Sequence, residues 1–542
     1  MPKNGKYDCV VIGGGHNGLV CAAYLAKAGL KVCVAERRHV LGGCAATEEL
    51  WPGYKVSTAA YVISLLQKEV LRDLSLKRNG LEILPRSPSS FTPLPDGRSL
   101  TMGPDEQLNR REISKFSNAD ALAYPKYEAL LERVAAALEP TLSEAAPDPL
   151  PMPPEWRKIG LQKKIRDGRK LLEFYNATKA LGADTPEAIE LLTGAARPIL
   201  ERWFESEVLK ATLATDAIIG AFTSISAPGS AYVLLHHVMG EAGGARGVWG
   251  YVRGGMGGLA DALESACVAL GVEVRREAPV HSIHTGPNGV TGVGLEDGSQ
   301  LDAKLVASGV DAHLTFERML APEALPDDFR AAVSRIDYSS ASAKVNLALA
   351  EPPRFTAAPG DGVQPHHHGT MHVGPSLDYL ERAYDDAKYG RPSDEPVLEC
   401  TMATSVDDTI APPGKHLLSI FVQFAPYKLK EGNWDDLKES FGDRCVEMLA
   451  RYAPNVPDAI EHRQVLSPLD LERTYGITGG NIMQGAMTPH QLYCFRPVAG
   501  WADHRTPVRG LYLCGAASHP GGGVMGACGR NAATEILRDQ RW

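Results

Sequence analysis

The 542-residue sequence predicts an α/β fold in which one domain is assembled from three separated segments of chain. Three observations predict it. A strand, a glycine-rich turn and a helix follow one another within residues 7–36. Strand-like runs occupy residues 272–310, and a short apolar strand at 510–515 precedes a second glycine cluster. The stretches between these segments differ in character and predict a second, α+β domain built from two long insertions.

The N-terminal segment contains the pattern of a nucleotide-binding turn. "YDCVVIG" is an apolar strand, "HNGLVCAAYLAKAG" has helical spacing that ends at Gly29, and "KVCVAE" is the next strand. Between strand and helix, "GGGHNG" places Gly13, Gly15 and Gly18 in a G-x-G-x-x-G pattern. Gly13 permits the tight turn, Gly15 lets the backbone approach a pyrophosphate, and Gly18 lets the helix pack closely on the strand.

An acid at the end of the second strand strengthens this prediction. Glu36 stands 18 residues after Gly18 and is placed to accept hydrogen bonds from a ribose. The pyrophosphate would face the helix N-terminus, where free N–H groups favour an anion. His16 and Asn17, which begin the helix, and Arg37, next to the acid, are therefore further candidate cofactor contacts. With strand, helix and acid all in place, a dinucleotide site is favoured over a chance match.

A second glycine pair bears on the choice between FAD and NAD. Gly42 and Gly43 follow Glu36 in "RRHVLGGCAAT". A second point of close backbone approach suits a ligand that continues past the ribose, which favours FAD. A plain NAD(P) dehydrogenase stays as an alternative, but it would leave the C-terminal glycine cluster without a purpose.

Both glycine clusters resemble those of a known superfamily. The spacing from Glu36 to the Gly42–Gly43 pair, together with "LYLCGAASHPGGGVMGACGRNAA" near the C-terminus, resembles the FAD-dependent phytoene desaturase and flavin amine oxidase superfamily. In that superfamily Arg or Lys usually follows the glycine pair. Here the residue is Cys44, so a contact from that cation is not carried over.

The resemblance implies contacts with the flavin and the adenine. It implies that a strand near the end of the chain delivers Gly515 to the flavin side of FAD, and that a helix begins beneath the ring near Val524. Gly523 and Met525 flank that start and are candidate cofactor contacts as well. "REAPVHSI" resembles the strand that touches the adenine, which points to Val280.

The resemblance also implies a division into domains. A Rossmann-type FAD-binding domain would comprise residues 1–75, 246–344 and 491–542. A substrate or cap domain would comprise residues 76–245 and 345–490. The implied reaction is hydride transfer between flavin N5 and an apolar, isoprenoid- or carotenoid-like small molecule.

The sequence identifies no catalytic side chain with an assigned role. His519 is the best local candidate because it precedes the helix beneath the flavin, but a structural bond to a carbonyl is favoured. Tyr232, His236 and His237 have helical spacing on an apolar background, which favours core packing over a cavity wall. In "PHHHGTMH", His366 and His368 would share one face of an extended strand. No acidic or cysteine ligand lies nearby, so no metal site is predicted.

Two alternatives from other functional classes stay open. One is a flavin amine oxidase that uses dioxygen, and the other is a flavoprotein scaffold in which FAD is structural. The electron acceptor (dioxygen, quinone or NAD(P)) and the oligomeric state also stay open.

Bulk properties restrict partners and location. The net charge of −9 argues against nucleic acid as a partner, because no basic face is evident. No apolar run reaches the roughly 18 residues of a spanning helix. Only about six residues precede the first strand, which is short for a targeting segment and predicts a cytoplasmic, bacterial protein. Peripheral membrane contact stays open. The ten cysteines form no CxxC pair and are expected to be reduced structural thiols.

Overall fold

The structure is a computed structural model that describes residues 5–149, 160–242 and 245–540. Its strands are β1 Gly5–Ile12, β2 Val32–Ala35, β3 Thr47–Trp51, β4 Tyr54–Ser57, β5 Ile83–Pro85, β6 Ser90–Pro93, β7 Ser99–Met102, β8 Glu241–Ala242, β9 Ala245–Arg246, β10 Gly250–Val252, β11 Glu273–Arg275, β12 Val280–Gly286, β13 Gly289–Leu295, β14 Gln300–Ser308, β15 Ser342–Leu349, β16 Thr370–Val373, β17 Val397–Thr401, β18 His416–Gln423, β19 Ile460–Leu466 and β20 Leu511–Leu513.

The α-helices lie mainly in the long stretches between the strands. They are α1 His16–Lys27, α2 Lys68–Asp73, α3 Glu106–Ser114, α4 Asn118–Leu142, α5 Leu161–Lys179, α6 Thr185–Thr193, α7 Ala196–Trp203, α8 Glu207–Thr215, α9 Ser230–Val238, α10 Gly257–Ala269, α11 Asp327–Val333, α12 Leu377–Lys388, α13 Trp434–Ala450, α14 Val456–Ala459, α15 Pro468–Tyr475 and α16 Ala527–Gln540. No helix in the described ranges is long and apolar enough to cross a bilayer.

The first sheet has seven strands in the order β11-β2-β1-β14-β13-β12, with β20 paired to β14. β1 runs parallel to both β2 and β14, and Val10 lies opposite Cys33 on one side and Val306 on the other. These central strands are apolar on both faces, as expected for a parallel sheet covered on both sides. All seven strands come from the three predicted segments, and the α/β Rossmann-type fold is confirmed. The domain boundaries themselves stay a prediction.

Three helices pack together against this sheet, and glycines set how closely they approach. α1 contacts both α10 and α16. A Cβ added at Gly18 would lie 2.2 Å from the Gly13 carbonyl oxygen, and one added at Gly529 would lie 2.1 Å from that of Asn17. Leu19 of α1 is fully buried, and burial of such a side chain contributes roughly 1.5–3 kcal/mol. The glycines therefore bring the start of α1 against both β1 and α16.

A second seven-stranded sheet has the order β19-β15-β18-β17-β16-β6-β7. Its neighbouring strands are antiparallel except for β16 and β6, which run parallel. Buried residues of α13 pack on it, including Phe441 and Leu449. Helices α4, α6 to α9 and α12 contribute to another apolar cluster, to which Tyr127 and Phe424 belong. The mixed α+β character expected of the insertions is present.

Two local expectations were wrong. The C-terminal helix begins at Ala527 and not near Val524, because Gly523 and Gly526 have φ angles of +112° and +72°, which a right-handed helix does not accept. Residues 365–368 form a 3₁₀ turn and not an extended strand. The side chains of His366 and His368 therefore do not share one face as they would along a strand.

Candidate active site

One cavity of about 650 Å³ draws its wall from both sheets and from the helical insertion. Its volume lies in the range of ordinary ligand sites, roughly 300–1,000 Å³. It is lined by thirteen of the fourteen candidate cofactor contacts: Gly13, Gly15, His16, Asn17, Gly18, Glu36, Arg37, Gly42, Gly43, Val280, Gly515, Gly523 and Val524. We call the part bounded by these residues the glycine end. The structure thus brings together two clusters that lie at opposite ends of the chain.

The turn between β1 and α1 has the shape of an anion cradle. Gly13 has a φ angle of +92°, and its N–H donates to the Ala35 carbonyl at 2.9 Å. A Cβ added at Gly15 would meet nothing within 4 Å, so the backbone there lies open to the cavity. The Leu19 amide donates to the Gly15 carbonyl at 3.0 Å, so the amides that precede it in this first turn have no acceptor within the helix. Those amides and the helix dipole favour a pyrophosphate.

Glu36 is buried at the edge of this cradle. Its Oε2 accepts a hydrogen bond from the Gly14 amide at 2.7 Å, and its Oε1 accepts one from the Arg38 amide at 2.8 Å. These two bonds fix the carboxylate beside the turn, where its remaining lone pairs suit a ribose hydroxyl.

Arg37 turns away from the cradle in part. Its Nη2 donates to the Arg473 carbonyl at 2.9 Å, which ties the acid-bearing loop to the end of α15. Arg37 lines the cavity, but this bond gives it a structural task as well.

The C-terminal cluster contributes a further part of the wall at the glycine end. A Cβ added at Gly515 would lie 2.3 Å from the Gly309 carbonyl oxygen, so only glycine fits there without a shift. Gly523 and Val524 line the cavity. Met525 does not line it: its side chain is buried, and its carbonyl accepts a hydrogen bond from the Gln67 amide at 3.0 Å. Because the helix starts later than expected, Met525 lies in the preceding loop.

His519 does not line the cavity either, which removes the geometric basis for a catalytic role. Its Nε2 is bonded to the Thr141 carbonyl at 2.8 Å, and its ring packs edge-on against Tyr493 with centroids 5.3 Å apart. Burial lowers the pKa of His519 to about 3, so the ring is neutral and Nε2 is the donor. The residue connects the C-terminal loop to α4.

Two histidines for which core packing was favoured prove to line the cavity. His236 and His237 of α9 are both buried wall residues, whereas Tyr232 is not part of the wall. The His237 ring stacks on Trp249 with centroids 5.6 Å apart. Burial lowers the pKa of His236 to about 3, so this ring is neutral. Helical spacing alone cannot distinguish a cavity wall from a core, because both present apolar faces.

A second group of wall residues was missed by sequence reasoning. We call it the inner polar end, and its members are Tyr61, Arg86, Asp216, Lys344, His372 and Glu399. They are scattered along the chain and share no motif. The Tyr61 hydroxyl donates to Glu399 Oε2 at 3.0 Å, and His372 Nδ1 lies 3.9 Å from Glu399 Oε1. Lys344 Nζ lies 3.6 Å from the centroid of the Tyr61 ring.

Burial sets the charges of this group. Desolvation, with a further contribution from Asp216, raises the pKa of Glu399 to about 8. Desolvation lowers the pKa of Lys344 well below its usual range and that of His372 to about 3. Lys344 Nζ has no hydrogen-bond partner in the part of the chain that the structure describes. Near neutral pH the group therefore holds a neutral acid and an uncommitted amine.

No cluster of three or more metal-ligating side chains occurs among residues 5–149, 160–242 and 245–540. In the histidine run, His367 Nε2 is bonded to the Pro353 carbonyl at 2.8 Å and His368 Nδ1 to the Ser87 carbonyl at 3.1 Å. All ten cysteines are free thiols, and nine of them are buried.

The glycine end fits FAD by its chemistry. It offers a helix N-terminus, a fixed carboxylate and glycine surfaces that a side chain would fill, continued by a second glycine wall. Residues 18–537 match the family model described as flavin containing amine oxidoreductase. The chain belongs to this family. It is an FAD-dependent oxidoreductase, and FAD is its cofactor.

Individual relatives agree with the assignment. The chain is 44% identical over 548 residues to pyridine nucleotide-disulfide oxidoreductase domain-containing protein 2 of Rattus norvegicus, covering 98% of this chain and 94% of that one. It is 23% identical to the lycopene-forming phytoene desaturase of Pseudescherichia vulneris, covering 97% and 98%. Cyclohexylamine oxidase from Brevibacterium oxydans has the same fold, with a TM-score of 0.56 at 15% identity and coverage of 99% and 100%. The predicted superfamily is confirmed.

Proposed function

We propose that this flavoenzyme dehydrogenates a small organic molecule with an apolar body and a polar head, which lies in the same cavity as the flavin. The single observation behind the proposal is the continuity of the cavity from the glycine end to the inner polar end. The wall of the same cavity also includes apolar side chains, namely Met102, Leu131, Leu213, Ile219 and Leu234. An apolar wall that leads to a buried polar group suits an amphipathic ligand.

The chemistry is a two-electron oxidation. When bound, FAD supplies a hydride acceptor at its N5 atom. A C–H bond of the substrate breaks and its electron pair leaves with the hydride. The neighbouring atom then loses a proton, and a double bond forms between the two substrate atoms. Atoms and electrons balance without another oxidant in this half-reaction.

Lys344 is our candidate to receive that proton, directly or through a water molecule. Its amine is buried, faces the cavity and has no competing partner among the described residues. Burial holds the pKa of this amine well below its usual range, which favours the uncharged form that can accept a proton. Tyr61 packs against it and restricts where its Nζ can lie.

The names of the relatives support two versions of this reaction. The name lycopene-forming phytoene desaturase supports a desaturation, that is, carbon–carbon dehydrogenation. The family description and the name cyclohexylamine oxidase support oxidation of an amine, for which Asp216 and Glu399 offer acidic partners in the wall. We favour the first version because Glu399 is held largely neutral at pH 7 and is then a poor partner for an ammonium.

Anaerobic flavin reduction tests the proposal. The purified holoprotein is mixed with one terpenoid body supplied as hydrocarbon, carboxylic acid or primary amine, and bleaching of the flavin is recorded. The proposal predicts faster bleaching by the acid than by the hydrocarbon, which lacks a polar head, or by the amine. Fast reduction by the amine alone, with rapid reoxidation in air, would favour the amine oxidase. A flavin that no donor reduces would contradict both versions and leave FAD with a structural role.

A further inference from the structure

Arg86 is a buried guanidinium at the inner polar end. It follows β5 and is 4% exposed. Its Nη1 donates to the Thr370 hydroxyl at 2.8 Å, and its Nε donates to the Trp249 carbonyl at 3.3 Å. The guanidinium also lies over the Tyr251 ring, 5.4 Å from its centroid. These contacts fix the plane and direction of the group without neutralising its charge.

No carboxylate of the described residues forms an ion pair with Arg86 within 4.0 Å. Its Nη2 also donates to no described acceptor, although Arg86 forms part of the cavity wall. Burial of a cation is unfavourable unless a partner lies in direct contact with it, and such groups in proteins are normally paired. The missing partner is therefore expected to be an anion that enters the cavity.

Two acids share this end of the cavity and restrict the kind of anion. Asp216 and Glu399 line the same wall, and desolvation raises the pKa of both carboxyl groups. In its protonated form either acid donates a hydrogen bond to an anion. A dianionic phosphate calls for more than one cationic partner, whereas a singly charged carboxylate needs only one donor fork and one protonated neighbour.

We propose that Arg86, with Asp216 beside it, forms a carboxylate subsite at the inner polar end, so that the substrate is an organic acid with an apolar body. This inference rests on the proposed function, since it names the polar head of that substrate. The fixed Arg86 plane orients the carboxylate by a forked pair of hydrogen bonds. The apolar body then extends along the wall toward the glycine end.

Calorimetric titration of the holoprotein tests the subsite. The probes are acetate, benzoate and octanoate, each compared with its own amide, and with benzylamine as a cation. The proposal predicts that at least one acid binds about 10- to 100-fold more tightly than its amide, as expected for a charge-assisted pair. No binding by any of the three acids, or equal binding of acid and amide, would overturn it.

Variants separate the subsite from a folding defect. Arg86→Met should weaken binding of the best acid about 10- to 100-fold, and Arg86→Lys should restore part of it. Asp216→Asn should bind the best acid at least as tightly as the parent at every pH, because the amide keeps a donor and can carry no negative charge; a damaged fold would not preserve binding. Arg98→Met, which removes an exposed arginine outside the cavity wall, is the matched control and should change nothing. Undiminished acid binding by Arg86→Met would overturn the proposal.

Failure of the proposed function gives a different result. FAD content and anaerobic bleaching are measured on the same samples. If the holoprotein binds acids through Arg86 but no donor reduces its flavin, the proposed dehydrogenase function is contradicted and the carboxylate subsite is supported. If a donor reduces the flavin but acid binding does not depend on Arg86, the dehydrogenase function is supported and the carboxylate subsite is contradicted.

Discussion

The two ends of the cavity differ in what they present to a ligand: the glycine end presents backbone, and the inner polar end presents buried side chains. Gly13, Gly15 and Gly18 carry no side chain. Their backbone can therefore lie open to a ligand or pack closely against neighbouring backbone. Arg86 and Lys344 matter because their charged or basic groups are desolvated inside the wall. We propose that the first end holds FAD and that the second end distinguishes one substrate from another.

The largest expected effect comes from filling the glycine end. Gly18→Ala would place a Cβ 2.2 Å from the Gly13 carbonyl oxygen, a backbone atom that cannot move without opening the turn. We expect a loss of about 3 kcal/mol in the free energy of unfolding and about 100-fold weaker FAD binding. FAD released by heating the purified variant gives the occupancy.

Gly168→Ala is the matched control for that change. Gly168 lies within α5, and a Cβ there would meet nothing within 4 Å. Alanine is the better helix former, so this variant should gain about 0.5–1 kcal/mol and keep its FAD. Equal FAD content in both variants would contradict the assignment of the glycine end as the FAD-binding site.

Lys344→Met should separate catalysis from stability. Methionine fills the same space without an amine, so we expect flavin reduction by the substrate to slow about 100-fold while FAD content stays the same. The free energy of unfolding should rise by about 1–3 kcal/mol, because an unsatisfied buried polar group is removed. Stopped-flow reduction and urea unfolding measure the two effects.

Lys115→Met serves as the control for Lys344→Met. Lys115 is half exposed and paired with Glu112, so its loss should change stability by less than about 1 kcal/mol and leave reduction unchanged. A fall in stability in Lys344→Met, with normal flavin reduction, would show that the amine has a structural role.

Glu399 should make stability depend on pH. Its folded pKa is about 8, above the ordinary carboxyl value, so between roughly pH 4.3 and 8 the folded state holds a proton that the unfolded chain has lost. Stability therefore falls as pH rises through this window, by at most about 1.4 kcal/mol per pH unit. The groups that face Glu399 are Tyr61, His372, Lys344, Arg86 and Asp216.

Glu399→Gln should make the fall in the free energy of unfolding with rising pH shallower, because the variant lacks the one proton that Glu399 binds in the folded state. Asp216 contributes a slope of the same sign, since its pKa is also raised, so the comparison is between variant and parent and not with a flat line. Urea unfolding at several pH values provides the measurement. If the free energy of unfolding changes with pH by the same slope in parent and variant, Glu399 is not the group with the raised pKa.

His519 should give the smallest effect, and it tests a catalytic candidate. His519→Gln breaks or weakens the bond to the Thr141 carbonyl and should cost about 1–2 kcal/mol in the free energy of unfolding. Flavin reduction at saturating substrate should be unchanged, because the ring is outside the cavity wall. A reduction rate lowered tenfold in a stably folded variant would restore the catalytic hypothesis.

The same contrast explains what the sequence could predict. The three segments of the first sheet and the N-terminal candidates followed from strand, glycine and acid spacing, because backbone recognition needs a fixed local order of residues. Val280, Gly515, Gly523 and Val524 came only from the resemblance to the superfamily. The inner polar end was missed because Arg86, Asp216, Lys344 and Glu399 come from four distant parts of the chain. Only the packing of the two sheets and the helical insertion brings them to one wall.

Some local details also depend on tertiary context. The late start of α16 follows from left-handed angles at Gly523 and Gly526, which glycine permits but does not require. The position of His519 follows from its bond to Thr141, which lies far away in sequence. Neither could be derived from spacing alone.

The central claim is that the two ends of one cavity have separate tasks, and FAD occupancy tests it most directly. We would purify the parent, Gly18→Ala and Lys344→Met, release the flavin by heat and measure the ratio of FAD to protein. The account predicts one FAD per chain in the parent and in Lys344→Met, and a nearly colourless Gly18→Ala. A colourless Lys344→Met beside a fully loaded Gly18→Ala would contradict it.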